Sequence, residues 1–419
     1  MTTTAPAPRI AIIGSALSGN KGASAMLESS IATLSERIPG VRFTLFSMYP
    51  AEDRAQNEYE SLDIIDARPR QLGVTINTLA LLYRVLPFLR PMLRSRSRAI
   101  GALASSQVLL DQGGITFTDG REKFLLYNVA SILPALMVKT PVFKCAQAVG
   151  PFRNSVNRWA ARRFLPRVHT LVTRGRITHE FAEQLGLTNL FAGADYAFSL
   201  ELDGTEQASA AAHFDLGFFD TDAVVVGISP SVVLQKKVEA RGADYVAEVA
   251  GFIDAMTASG RRVVLFPHSV RTGTDKTHNN DLPLCTRIFE RLERRDGVLF
   301  IDRELSSQTL RYLIGRCDYF VASRFHAMVS SLAMSVPTLV IGWSHKYQEV
   351  LEMFQLDEWA FGHDKLEPAF LLERFDALVQ AESTVREKLR SNLPTVKATS
   401  VAQADLIAAI VNESTGARA

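Results

Sequence analysis

The chain has 419 residues, 47% of them hydrophobic and 21% charged, with a formal net charge of +2. A chain this long exceeds what one hydrophobic core usually organises, so two domains of roughly 200 residues each are expected, and so even a charge balance argues against bulk electrostatic binding of nucleic acid. Cys145, Cys285 and Cys317 are far apart, with no CxxC pair and no His neighbour at ligand spacing, which argues against a structural zinc or a disulfide framework and fits a reducing, cytoplasmic setting.

In chain order, short apolar runs alternate with longer amphipathic stretches. The opening MTTTAPAPRIAIIG has no basic start followed by a long apolar core, so no export signal is expected. RIAIIG, FTLF, QVLLDQGG, VFKCAQAVG and HTLVTRG read as buried strands, rich in Val, Ile, Leu or Phe and bounded by Gly or polar residues. SAMLESSIATLSERI carries Met26, Leu27, Ile31 and Leu34 on one helical stripe. Residues 72–98 combine apolar residues such as Leu79, Leu82, Phe88 and Leu93 with Arg84, Arg90, Arg94, Arg96 and Arg98, interrupted by Pro87 and Pro91. Such a segment does not span a membrane; it is either a core helix with a basic loop or a basic amphipathic segment lying on an anionic membrane surface.

Residues 201–222 are polar and small and read as a linker with room for one short helix. A second series follows, in which AVVVGISPS, RRVVLFPHS, VLFID, DYFVASRFH and PTLVIGWS are strand-like and YVAEVAGFIDAMTAS and LPLCTRIFERLERR helical. The expected fold class is α/β, with two Rossmann-like domains facing a cleft: residues 1–205, residues 206–385, and then a C-terminal helix with a frayed tail over 386–419.

Chemistry-bearing residues gather where the strands end. In GSALSGNKGAS, Asn20 separates Gly19 from Lys21, so neither a Walker A loop nor a GxGxxG fingerprint is present. The stretch is either a flexible turn or a place where Gly19 and Gly22 let an anion or a polar sugar group approach the backbone at a helix N-terminus. LLDQGGITFTDGR brings Asp111, Gly113 and Gly114 to another strand end, and a carboxylate so near a buried strand must be paired or functional. His268 in LFPHS, with His278 and Asp281 in THNND, matches no metal motif. Lys346 in GWSHKYQEV can serve as a point charge for phosphate or simply be solvated.

The most informative stretch is VASRFHAMVSS. With Ser323 as N-cap, Arg324 and His326 fall in the first turn of a helix, where the dipole favours negative charge and a cation costs a few tenths of a kcal/mol. An anion between dipole and side chains reverses that sign. The expectation is an anion site with a proton donor; the alternative is an arginine in a local salt bridge beside a solvated histidine.

GNKGA, DQGG, AQAVGP, VTRGRIT, GADYAF, PHS with a downstream ND, and SRFHA occur in this order from about Ile10 to about Leu351, and together they resemble the polysaccharide pyruvyl transferases. The resemblance implies a GT-B-like fold and transfer of pyruvate, as a ketal, from phosphoenolpyruvate to a sugar of a cell-surface polysaccharide or glycolipid precursor, with release of phosphate. It implies that Arg174, Arg324 and His326 hold phosphoenolpyruvate, joined on chemical grounds by Lys346. Catalysis then falls to His326 as acid, with His268 second, and the acceptor side to Asn20, Asp111, Gly113 and Gly114. No metal or redox cofactor is needed. Gly175 stands where the family often has an acidic residue. Two other functions share the fold: a glycosyltransferase using a nucleotide-sugar donor, and a noncatalytic, membrane-associated binding protein. Expected partners are a sugar acceptor, lipid-linked if residues 72–98 contact an anionic membrane from the cytoplasmic side.

Overall fold

The computed structural model describes residues 7–271, 279–342 and 344–416. Two compact units divide the chain. The first comprises residues up to Ser18, Met26–Ser199 and the segment from Ala398; the second comprises Gly19–Ala25 and Leu200–Lys397.

In the first unit seven parallel strands lie in the order β3-β2-β1-β4-β5-β6-β7, with β1 Arg9–Ile13, β2 Arg42–Ser47, β3 Leu62–Asp66, β4 Val108–Asp111, β5 Val142–Gln147, β6 Thr170–Thr173 and β7 Leu190–Ala192. Ile10 to Ile13 are all buried, because helices cover both faces of the sheet and leave no polar side to alternate with. Helices Asn77–Val85, Leu125–Val138 and Ser155–Phe164 close one layer over it and share a core with Ile13, Phe46 and Leu109.

The second unit repeats the plan with six parallel strands, β10-β9-β8-β11-β12-β13, where β8 is Val225–Ser229, β9 Arg262–Leu265, β10 Val298–Phe300, β11 Tyr319–Ala322, β12 Thr338–Gly342 and β13 Ala360–Gly362. In each unit the first strand is flanked by its second and fourth. The chain therefore reverses direction across the sheet between β1 and β4, and again between β8 and β11, and loops leaving such a pair diverge to opposite faces and open a crevice.

All ten expected strands form. The sequence reading passed over β3, β7 and β13, which lie at sheet edges and, for β7 and β13, have only three residues each. The linker segment carries the short helix expected of it, Glu206–Ala211, whose buried Glu206 accepts hydrogen bonds from the amides of Asp203 and Gly204. The break between units falls after Ser199 rather than at 205. The C-terminal segment is not a separate piece: helix Glu382–Gly416 is divided at Lys397, and the helix runs to Gly416 where a frayed tail was expected. Beyond the division, Ser400 donates to the Asp195 carbonyl and Gln403 to that of Ala194, binding this stretch to the first unit. Cys145, Cys285 and Cys317 are buried free thiols, and burial pushes all three up from the usual thiol range.

Candidate functional site

In the second unit, β8 ends at Ser229 and its neighbour β11 at Ala322. Beyond Ala322 the chain turns into helix Phe325–Ala333, and the residue that caps it is Arg324, not Ser323. Ser323 instead offers its carbonyl to the Tyr347 hydroxyl at 3.1 Å. Arg324 therefore leaves the helix axis, and its guanidinium reaches Asn279 Oδ1 at 2.8 Å and Asp281 Oδ1 at 2.5 Å.

Asp281 explains how a cation is tolerated at this helix start. It is wholly buried, accepts from the backbone amides of Val232 and Ser269 at 3.0 Å each, and pairs with Arg324. One carboxylate thus ties together the loops that follow β8, β9 and β11, and it supplies the local salt bridge that the sequence reading held as the alternative. The two readings are compatible, because only two of Arg324's five N–H donors are spent on Asn279 and Asp281, and its side chain keeps 14% exposure.

His326 lies in the first turn, close against Gly22. A Cβ placed on Gly22 would fall 2.0 Å from His326 Nδ1, so only glycine leaves room for the ring. The adjacent Lys21 is buried and paired with Glu304 at 2.7 Å, and Glu304 also accepts from the Gly19 amide. Asn20 accepts from the Gly22 amide with its side chain and bridges Ser269 with its backbone. The GNKGA stretch is thus a built support for His326 rather than a loose turn, and Asn20, expected on the acceptor side, acts here as a helix cap.

His268 follows β9 and is 4% exposed. Burial, then the charges of His326, Arg324, Arg311 and Lys21, hold its pKa well below the usual histidine range, so the ring is neutral near pH 7. Lys346 sits with Nζ 4.7 Å from the centre of the Phe325 ring, beside the Arg324 and His326 turn. His278 lies outside the described residues. Ser229 Oγ, buried at the end of β8, has no hydrogen-bond partner among the described residues.

The first unit differs more from expectation. Asp111 is buried and paired with Lys144, and it accepts from the Gly113 amide at 2.9 Å. Its charge is satisfied internally, as a carboxylate beside a buried strand requires, so it is not presented to an acceptor. β1 and β4 exit side by side, so Gly14 is needed there: at φ +84°, a Cβ on it would stand 2.8 Å from the Gly113 nitrogen. The Gly114 carbonyl accepts from Arg174 Nη2 at 2.9 Å and from the Ala148 amide. Arg174, expected as a second clamp, is 1% exposed and pairs with the wholly buried Asp195 at 2.5 Å; it braces the DQGG loop rather than facing solvent.

The structure thus brings Arg324, His326, His268 and Lys346 to the strand ends of one unit. Asp281 and Gly22 were named from sequence without these roles, and Asn279 and the Lys21–Glu304 pair were not singled out. PHS with its downstream ND and the GNKGA stretch were the signals that could have found them. Among the described residues no group of His, Cys, Asp or Glu could hold a metal ion.

A family model described as polysaccharide pyruvyl transferase matches residues 20–345, well over half of the chain. Among curated proteins, the amylovoran biosynthesis protein AmsJ of Erwinia amylovora is 22% identical over 264 residues, covering 61% of this chain and 62% of that protein. The chain therefore spans under two thirds of that relative's length. Solved structures share the fold at low identity. The UDP-GlcNAc 2-epimerase of Neisseria meningitidis bound to UDP-GlcNAc is 11% identical with a TM-score of 0.60, covering 95% of this chain and 99% of that one. UGT71G1 of Medicago truncatula with UDP-glucose is 11% identical with a TM-score of 0.55, covering 98% of each chain. These likenesses give a GT-B-like α/β architecture and no more.

Proposed function

From the premise that this chain belongs to the polysaccharide pyruvyl transferase family, we propose that it transfers pyruvate from phosphoenolpyruvate to two hydroxyls of a sugar in a polysaccharide or glycolipid precursor. The observation that supports this reading best is Arg324, fixed by Asp281 and Asn279 at the start of the helix that carries His326. A guanidinium with donors to spare and the nearby Lys346 suit a small molecule bearing a carboxylate and a phosphate.

The chemistry follows from the two imidazoles. Protonated His326 gives its proton to the methylene carbon of the donor, the C=C bond becomes a methyl group, and positive charge develops at the central carbon. A sugar hydroxyl forms a C–O bond there while His268, kept neutral by burial, takes the hydroxyl proton. The C–O bond to phosphate then breaks, the second hydroxyl adds to the same carbon, and one of the two hydroxyl protons restores His326 while the other leaves with phosphate. Atoms and charge balance with no redox partner.

The acceptor is proposed to be a sugar carried on a lipid. The test is incubation of the purified chain with phosphoenolpyruvate and a panel of lipid-linked and nucleotide-linked sugars, reading phosphate release and the mass of the product. Release of a nucleoside diphosphate from a nucleotide sugar without phosphoenolpyruvate would replace this reading with glycosyl transfer.

A further inference from the structure

The large apolar side chains that stand exposed among the described residues all fall in one part of the first unit: Val74, Leu81, Val85, Phe88, Met92, Leu126, Val156 and Trp159. They sit on helices Asn77–Val85, Arg90–Arg96, Leu125–Val138 and Ser155–Phe164 and on the turns that lead into them. The inner sides of these helices meet in a single core, through Leu72, Ile76, Ala80 and Leu93, Ile132 and Ala135, and Ala160 and Ala161. Helix Asn77–Val85 packs on Leu125–Val138, which packs on Ser155–Phe164. One helical layer thus carries an apolar outer face, with Phe88 at 74% and Leu126 at 85% exposure, of the kind that soluble surfaces rarely leave uncovered.

The charge on the helices of this layer has one sign, with the exposed Glu122 in the turn that leads into helix Leu125–Val138. From Ala67 to Leu110 the sequence has seven arginines and no Asp or Glu, and from Lys123 to His179 it again has no Asp or Glu. Two of the seven are engaged at the margin, Arg68 with Asp66 and Arg98 with Asp63. Arg70, Arg84, Arg94 and Arg96 are exposed and form no ion pair among the described residues, as is true of Arg158, Arg162 and Arg163 on helix Ser155–Phe164. No single helix among the described residues is long and apolar enough to cross a membrane, and helices 71–85 and 87–96 meet at 117°. Because Leu72, Ile76, Ala80 and Leu93 belong to the core, this segment cannot leave the domain to enter a bilayer.

We propose that this helical layer docks on an anionic lipid surface, lying in the interface with Phe88, Leu126 and Trp159 inserted among the headgroups and the unpaired arginines on lipid phosphates. The occupant is a membrane rather than a second copy of the chain, because two copies would set these unpaired arginines against their own kind. Docking does not depend on the donor, and would hold whether or not the chain transfers pyruvate.

The experiment is co-sedimentation of the full chain with phosphatidylcholine vesicles, with and without phosphatidylglycerol, across a salt series. The wild type sediments with the anionic vesicles at low salt and not with the neutral ones. R84Q/R94Q/R96Q lowers the partition coefficient by about fivefold per arginine, roughly a hundredfold together, with the difference shrinking as salt rises. F88S/L126S lowers it by about tenfold or more at every salt concentration. All five positions are exposed, and unchanged thermal midpoints confirm folding. No binding to anionic vesicles at low salt, or binding untouched by both variants, overturns the proposal; so does lipid-free dimerisation of the wild type that F88S/L126S abolishes. Phosphate release from phosphoenolpyruvate, measured in detergent with a soluble acceptor analogue, reports the catalytic reading separately.

Discussion

Replacing Gly22 with alanine puts a methyl carbon where the His326 ring lies. The added carbon would stand 2.0 Å from Nδ1, 2.1 Å from Cγ and 2.5 Å from Cβ of His326, whereas ordinary contact begins near 3.4 Å. The ring must therefore retreat by about 1.4 Å, the difference between 3.4 and 2.0. A shift of about 1 Å in a reacting group costs on the order of 10² in rate. Arg324 does not need to move, because Asp281 and Asn279 fix it independently. The clash also reaches His326 Cβ, so the start of helix Phe325–Ala333 must yield as well as the ring, and the gain from alanine as the better helix former, up to ~1 kcal/mol, offsets part of that strain. Turnover of Gly22→Ala, measured as phosphate release with saturating phosphoenolpyruvate and acceptor, should fall about a hundredfold. Calorimetric affinity for phosphoenolpyruvate should stay within a few-fold, and the urea midpoint should stay near that of the wild type. Wild-type turnover in this variant would refute the account of His326, and so would a rate loss that merely follows lost folding.

His326→Gln should lower kcat by ~10² to 10⁴ while phosphoenolpyruvate affinity holds, because a proton donor acts in the transition state; steady-state kinetics and calorimetry on one preparation decide this. Asp281→Ala removes the partner of Arg324 and of two buried amides, so urea unfolding should show a loss of about 3–5 kcal/mol, together with weakened donor binding. His268 has its folded pKa depressed below the ordinary 6.5. The unfolded chain therefore takes up its proton first as pH falls, and the stability from keeping this ring neutral is present above about 6.5 and is lost as pH drops below it. Chemical denaturation of wild type and His268→Gln across this range should show a shallower acid slope in the variant.

Most of the fold was legible because buried parallel strands announce themselves as unbroken apolar runs, as in RIAII and YFVA. β7 and β13 are too short, and too little buried, to leave that signature. The site was legible where residue type carried the signal: a cation and an imidazole at a helix start are unusual whatever surrounds them. What the sequence could not reveal was pairing across distance. That Asp281 would meet Arg324, Asp111 meet Lys144 and Asp195 meet Arg174 depends on a chain that folds back over 21 to 43 residues, so Arg174 and Asp111 read as open to ligand when each was already matched. Gly22 shows the same limit, since its need for glycine comes from a ring three hundred residues away in sequence.

The three native thiols lie inside the protein, each held in its unreactive protonated form. The folded chain is consequently blank to maleimide chemistry without any engineering. A single cysteine introduced at Leu126 or at Trp159, both exposed, becomes the sole site for an environment-sensitive fluorophore. The emission colour of that probe would then report the polarity around one chosen point of the helical layer, in real time and in the otherwise native protein.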